Sequence, residues 1–319
     1  MRLIKPILAG IGTLLICVFL MTVVNLIPRE NIQKNSEATA EHLKYTELFH
    51  YTDDDLVHSV QDNYADAKWM GVVYSIDPQH PFTSAIWGRY AQLSYENIND
   101  SFYMQVHGME DVNATYSRYW HGAMTYIRPL LLVTDLSGIR IVMGVVILIL
   151  QAAIVFILIR MRGFALAGCY TLAFLVIHPW MFFVALEYSS VFVIVSAATL
   201  VMLIMIKKER TEDVMPFFAA VGVLTNFMDF LTVETLSFTI PMMFLLIHLM
   251  ENGNITDSKA GVREIIKNGI AWFGGYAGAF VSKLILVLFV CGKEEVQTAL
   301  SVAAERVYGE VFPGNMSAS

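Results

Sequence analysis

The stretch ILAGIGTLLICVFLMTVVNLI, residues 7–27, decides the class of this protein. It carries no charged side chain, and a helix needs roughly 20 such residues to cross the hydrocarbon of a bilayer. Arg2 and Lys5 precede it, as in a signal peptide, but residues 25–30 offer no small-x-small cleavage site. The run therefore reads as an uncleaved signal anchor. Six further apolar runs follow at 139–159, 164–186, 191–206, 216–231, 236–250 and 270–290.

The composition agrees. The 319 residues are 56% hydrophobic and 15% charged, with a mean hydropathy of +0.57. Soluble domains hold about 25% charge, and a soluble fold could not hide so much apolar surface. The expected fold is an all-α integral membrane protein of about seven transmembrane helices. Its expected segments are an anchor at 1–27, a loop domain at 28–135, a six-span bundle at 136–292 and a tail at 293–319. A net charge of −7 argues against a nucleic-acid partner. No P-loop, GxGxxG or CxxC pattern occurs. Cys17, Cys169 and Cys291 lie in or beside apolar runs and read as inert thiols.

Basic residues in short connectors set the expected orientation. Arg160 and Arg162, then Lys207, Lys208 and Arg210, then Lys259, Arg263 and Lys267 fall in alternate connectors. The intervening connectors, 187–190 and 232–235, have no Lys or Arg. With the N-terminus cytoplasmic, every basic connector lies inside a bacterial plasma membrane and residues 28–135 lie outside. That loop holds 15 acidic and seven basic residues, net −8, enough to account for the acidity of the chain. The cytoplasmic connectors are too short for a nucleotide-binding domain.

Three helices are expected in the loop. The first covers 54–75, with Leu56, Val60, Tyr64, Ala67 and Gly71 on one stripe. Asp55, His58, Asp62 and Asp66 recur at steps of three or four on another. Such a face is either simply solvated or holds a divalent cation through Asp55, Asp62 and Asp66, with Asp62 or His58 as a general base. The second helix covers 82–97. The third covers 113–127, where Tyr116, Tyr119, Trp120, Ala123 and Ile127 form an aromatic stripe suited to the headgroup layer. Arg118, His121 and Thr125 share its opposite face, and Arg128-Pro129 follows. Arg118 and Arg128 there would either anchor the helix on lipid phosphates or bind substrate.

Polar residues also interrupt the spans. LTNFMDFLTVET, residues 224–235, places Asp229 and Glu234 in a crossing that is short for two full spans, either lining a cavity or forming a hairpin tip. GGYAGAFVSKLILV, residues 274–287, buries Lys283, which calls for an acidic partner or a substrate phosphate. Its glycines permit close helix approach.

QDNYADAKWMGVVYSID, YSRYWHGAMTYIRPLLLV, TNFMDFLTVETLSFTIPM and GGYAGAFVSKLILV together resemble a group of bacterial polytopic membrane proteins similar to the GT-C superfamily of glycosyltransferases. The resemblance covers nearly the whole chain. It implies a large first outer loop with juxtamembrane helices, a polyprenyl-phosphate-linked sugar donor and an acidic catalytic residue in that loop. On it, Asp62 is the base, Asp66 or His58 helps to hold a metal, and Arg128, His121 and Lys283 neutralise the donor phosphate, with Arg118, Asp229 and Glu234 nearby. GT-C proteins have more spans than seven, so a shortened member is expected. The alternatives are an ion-coupled transporter or lipid flippase using Asp229, Glu234 and Lys283, and a non-catalytic partner of a surface-polysaccharide machine.

Overall fold

The computed structural model describes residues 4–51, 60–93, 98–228 and 234–308. In chain order the helices are α1 (Ile4–Val24), α2 (Arg29–Lys44), α3 (Asn63–Tyr74), α4 (Pro81–Trp87), α5 (Ile98–Val106), α6 (Met124–Leu130), α7 (Leu136–Arg162), α8 (Phe164–Val176), α9 (Leu186–Lys207), α10 (Met215–Met228), α11 (Leu236–Glu251), α12 (Ser258–Val290) and α13 (Lys293–Tyr308). The strands are short: β1 (Phe49–Tyr51), β2 (Val60–Asp62), β3 (Arg89–Tyr90) and β4 (Ala114–Thr115). The described residues gather into two compact units. One draws on Met1–Val18, Tyr51–Gln61 and Ser137–Ala279, the other on Phe19–His50, Asp62–Leu136 and Phe280–Ser319.

The protein is a predominantly helical, multi-pass membrane protein. All seven apolar runs fold as helices, but only α1, α7, α9 and α12 are long and apolar enough to cross a membrane among the described residues. The other three, α8, α10 and α11, have 13, 14 and 16 residues. At 1.5 Å per residue they are shorter than the hydrocarbon core. For α8 the physical reason is local. His178 in the left-handed region and Pro179 end α8, whereas residues 229–233, between α10 and α11, lie outside the described residues.

In the first unit α9 is the central element, with Ser196, Thr199, Met202 and Leu203 all buried. It packs with α10 and α11 around Phe218, Leu245 and Trp272. Two glycines set the closest helix approach. A Cβ on Gly222 would lie 2.0 Å from the Trp272 carbonyl oxygen, and one on Gly275 would lie 2.1 Å from that of Ala219. Small residues give lipid-embedded helices their backbone contact where no hydrophobic force drives them together. The polar residues of this region are hydrogen-bonded to one another. Ser237 donates to the Glu234 carbonyl at 2.8 Å and accepts from Trp272 Nε1 at 3.0 Å.

The second unit departs most from the expected helices. Val60–Asp62 is a strand, and the helix begins only at Asn63, with Asp62 as its cap. The expected 54–75 stripe is therefore not one helical face, and Asp55 and His58 lie outside the described residues. The expected 82–97 helix stops at Trp87 because Gly88 turns left-handed, φ 61°, and the chain enters β3. The expected 113–127 helix is instead β4, paired antiparallel to β3, followed by turns as far as residue 123, and only its last four residues are helical, at the start of α6. Its aromatic stripe faces protein rather than headgroups: Tyr116, Tyr119, Trp120, Ala123 and Ile127 are all buried. Helices α2, α5 and α13 were not expected. In α2 the buried face runs from Ile32 to Leu43 through Ser36, Thr39 and Ala40, three small or polar residues that mask the amphipathic pattern, and α2 packs on α3 and α5.

Gly222→Val is expected to lower the thermal midpoint of the detergent-solubilised protein, at an overpacking cost of about 2 kcal/mol or more. Gly274→Val, where a Cβ meets no atom within 4 Å, should leave it unchanged. Equal midpoints for the two variants would contradict this helix packing.

Candidate functional site

The site lies in the second unit and is held by buried cations that bind backbone. Arg128, fully buried, donates through Nε and Nη2 to the Ile27 carbonyl at 3.2 and 2.6 Å and through Nη1 to the Val73 carbonyl. Burial, with Arg29 nearby, lowers its pKa only to about 10, so it stays charged at neutral pH. Lys283, also fully buried, donates to the Ile86 carbonyl at 2.7 Å and lies 3.5 Å from that of Ala85. Its Nζ is 5.6 Å from the Trp120 ring centroid. Neither cation forms an ion pair among the described residues. Both act as clamps on helix ends, where carbonyls lack intrahelical donors.

The chain leaving these clamps encloses a cleft of about 480 Å³. Arg29, two residues beyond Ile27, forms one wall. Its Nε donates to the Tyr74 carbonyl at 3.1 Å, and its guanidinium lies 5.2 Å from the Tyr74 ring centroid. Trp87 and Arg89 form another wall, stacked with 5.1 Å between guanidinium carbon and ring centroid. The turn Asp77-Pro78-Gln79-His80 closes a third. There His80 Nδ1 donates to Asp77 Oδ2 at 2.9 Å, while Asp77 Oδ1 accepts from the Gln79 amide at 2.9 Å. These bonds, that from His80 foremost, hold the Asp77 carboxyl below its usual pKa. With Nδ1 donating, His80 presents Nε2 as a proton acceptor. Ser84 and Thr83 add hydroxyls. A second cavity, about 400 Å³, shares Arg29 and Asp77 and is also lined by Glu30 and Gln79.

The residues singled out from sequence divide differently. Asp62 caps α3 by accepting from the Ala65 amide at 2.8 Å. Asp66 is buried in the first turn of α3, and Lys68 on the same helix lies 4.2 Å from the Tyr116 ring centroid. No three His, Cys, Asp or Glu side chains cluster as metal ligands among the described residues. Asp55, His58 and Asp229 lie outside them. Glu234 precedes α11 in the first unit. Arg118, His121 and Lys283, by contrast, are brought together around the Tyr116–His121 loop, which is also joined to α13 because Thr115 and Ser117 donate to Glu295 at 2.7 and 2.5 Å.

His121 adopts φ 56°, uncommon for a non-glycine residue, and its Nε2 lies 2.5 Å from the Tyr116 carbonyl. Gly88 is obligatory beside it, since a Cβ there would meet His121 Nε2 at 2.6 Å. Burial, then the charges of Lys283, Lys68 and Arg118, keep this imidazole neutral, well below its ordinary pKa of 6.5.

No family model, curated protein or solved structure matches the chain. The cleft residues Arg29, Asp77, His80, Trp87 and Arg89 were not picked out from sequence. The available signals were Arg29 directly after the first apolar run and the turn-forming Asp77-Pro78 before Pro81.

Arg128→Met should destabilise the protein by about 3 kcal/mol, because two buried carbonyl groups lose charged donors, as read by thermal or denaturant unfolding in micelles. The His121 effect has a definite sign. Below its ordinary pKa of 6.5 the unfolded chain takes up a proton that the folded chain refuses. Stability should therefore hold above that pH and fall as pH drops through it, and His121→Gln should flatten the slope.

Proposed function

We propose that the protein is a GT-C-like membrane glycosyltransferase of the bacterial plasma membrane. It transfers a sugar from a polyprenyl-phosphate-linked donor to a cell-surface glycan. The observation that carries this reading is the cleft itself: two guanidiniums, an aromatic wall and an aspartate–histidine pair converge on one cavity. Arg29 and Arg89 suit a donor phosphate, whose charge rises as the sugar–phosphate bond breaks and the phosphate leaves with the bonding electrons. Trp87 offers a flat apolar surface to a sugar ring. His80 Nε2, oriented by Asp77, takes the proton of the acceptor hydroxyl as its oxygen attacks the anomeric carbon. In this proposal the base is the Asp77–His80 pair rather than Asp62, whose carboxylate caps a helix, and the phosphate contacts pass from Arg128 and Lys283 to Arg29 and Arg89.

The orientation with the N-terminus inside draws support from the first unit. Lys5 lies 3.5 Å from Asp213, which joins the start of α1 to the connector after α9. Arg162 is paired with Glu251, which joins the ends of α7 and α11. Each pair brings together connectors that the basic-residue pattern assigns to the cytoplasm.

Reconstituted protein supplied with polyprenyl-phosphate sugars should transfer the sugar. His80→Gln should lower kcat by about a hundredfold or more, the ordinary worth of a general base, and alter the pH profile. Arg89→Gln should weaken donor binding. Wild-type rates in both variants, or unchanged surface glycan in cells lacking the protein, would refute the proposal.

A further inference from the structure

A second site, sharing no lining residue with the cleft, is built on the Tyr116–His121 loop. Arg118 is only 9% exposed. Its guanidinium carbon lies 4.8 Å from the ring centroid of Tyr116 and 4.9 Å from that of Tyr119. Those rings meet edge to face, 5.3 Å apart, so the charged head is held by rigid walls rather than by a flexible arm. Yet its Nε is enclosed without a hydrogen-bond partner, and among the described residues Arg118 makes no hydrogen bond or ion pair. This is unlike Arg128 and Lys283, whose donors are occupied by carbonyls. A guanidinium carries five N–H donors in a planar fork. Burying one of them, here Nε–H, without a partner is unfavourable unless a ligand completes the site.

The surroundings select the ligand's charge. Lys68 Nζ lies 4.2 Å from the centroid of the same Tyr116 ring, so two cations lie against one aromatic ring. The His121 ring centroid is 5.2 Å from that of Tyr116, and its imidazole is held neutral in part by these charges. A small anion carrying more than one charge is the natural complement, and the guanidinium fork matches two oxygens of a tetrahedral oxyanion. We infer that Arg118, braced by Tyr116 and Tyr119 and reinforced by Lys68, is the receptor for a phosphate-class oxyanion. A phospholipid headgroup and a soluble phosphate ester present the same chemistry to it.

The test uses full-length protein carrying Arg29→Gln and Arg89→Gln, which silence the cleft. Inorganic phosphate is titrated in neutral detergent, against chloride at matched ionic strength, and the thermal midpoint and intrinsic fluorescence are followed. The midpoint should rise saturably, as for any ligand that binds only the folded state. Adding Arg118→Gln should weaken the response by at least about tenfold, as expected for loss of a charged hydrogen-bonding group. Arg118→Lys, which keeps the charge but not the fork, should fall between. A parallel series in neutral-lipid nanodiscs with and without phosphatidic acid separates the sources. A headgroup ligand makes phosphatidic acid stabilise the protein in an Arg118-dependent way and suppress the phosphate response, whereas a soluble ligand leaves that response unaffected by lipid. The inference is overturned if neither phosphate nor phosphatidic acid gives a saturable response. It is also overturned if Arg118→Lys binds as tightly as the parent, a comparison that stands even where Arg118→Gln does not fold.

Discussion

The Arg128 guanidinium, fully buried and bonded to the carbonyls of Ile27 and Val73, is the constraint on which the second unit depends. Ile27 follows the end of α1, and Val73 stands in the last turn of α3. One cation thus fixes two chain ends whose carbonyls would otherwise be buried without donors. Two of the three walls of the cleft begin within a few residues of these bonds, Arg29 on one side and Ser75 to Asp77 on the other.

Lys283 does the same for α4. Its ammonium meets the Ile86 carbonyl one residue before Trp87, so the aromatic wall and Arg89 are positioned from the last spanning helix. A residue that breaks an apolar run invites an acidic partner in the mind of the reader of a sequence. A helix C-terminus provides an equivalent partner, because its carbonyls carry the negative end of the macrodipole and concentrate several acceptors at one point. Carbonyl partners leave no trace in side-chain identity, which is why the roles of Arg128 and Lys283 could not be read in advance. The consequence for function is a division of labour among the cations. Arg128 and Lys283 hold backbone, whereas Arg29 and Arg89 line the cleft and Arg118 lies against two tyrosine rings with its Nε unpartnered among the described residues.

The lipid-facing part follows a different logic. Side chains there gain nothing from leaving water, so contact depends on how closely backbones approach. Gly222 and Gly275 supply that approach, and the hydroxyls of Thr225, Ser190, Ser196 and Thr199 close onto carbonyls of their own helices. Just after the polar 224–235 segment, read from sequence as either a cavity lining or a hairpin tip, Ser237 of α11 joins the Glu234 carbonyl to Trp272 Nε1.

The amino-acid sequence by itself determined that this is a membrane protein, and each of its seven apolar runs overlaps a helix, although α8 ends well before residue 186 and α12 begins well before residue 270. Apolar length is a one-dimensional property that lipid reads directly. It also marked Arg118, His121, Arg128 and Lys283 as unusual, since a cation beside apolar and aromatic sequence is conspicuous without a structure. Only the tertiary structure decided what those cations do, that Gly88 ends α4 and that 113–123 is strand and turn rather than helix. Only it brought Arg29, Asp77, His80 and Arg89, spread over some sixty residues, to one cavity. Helical periodicity records which residues share a face. The partners of a buried charge and the walls of a cleft are set by long-range packing, and no local pattern encodes them.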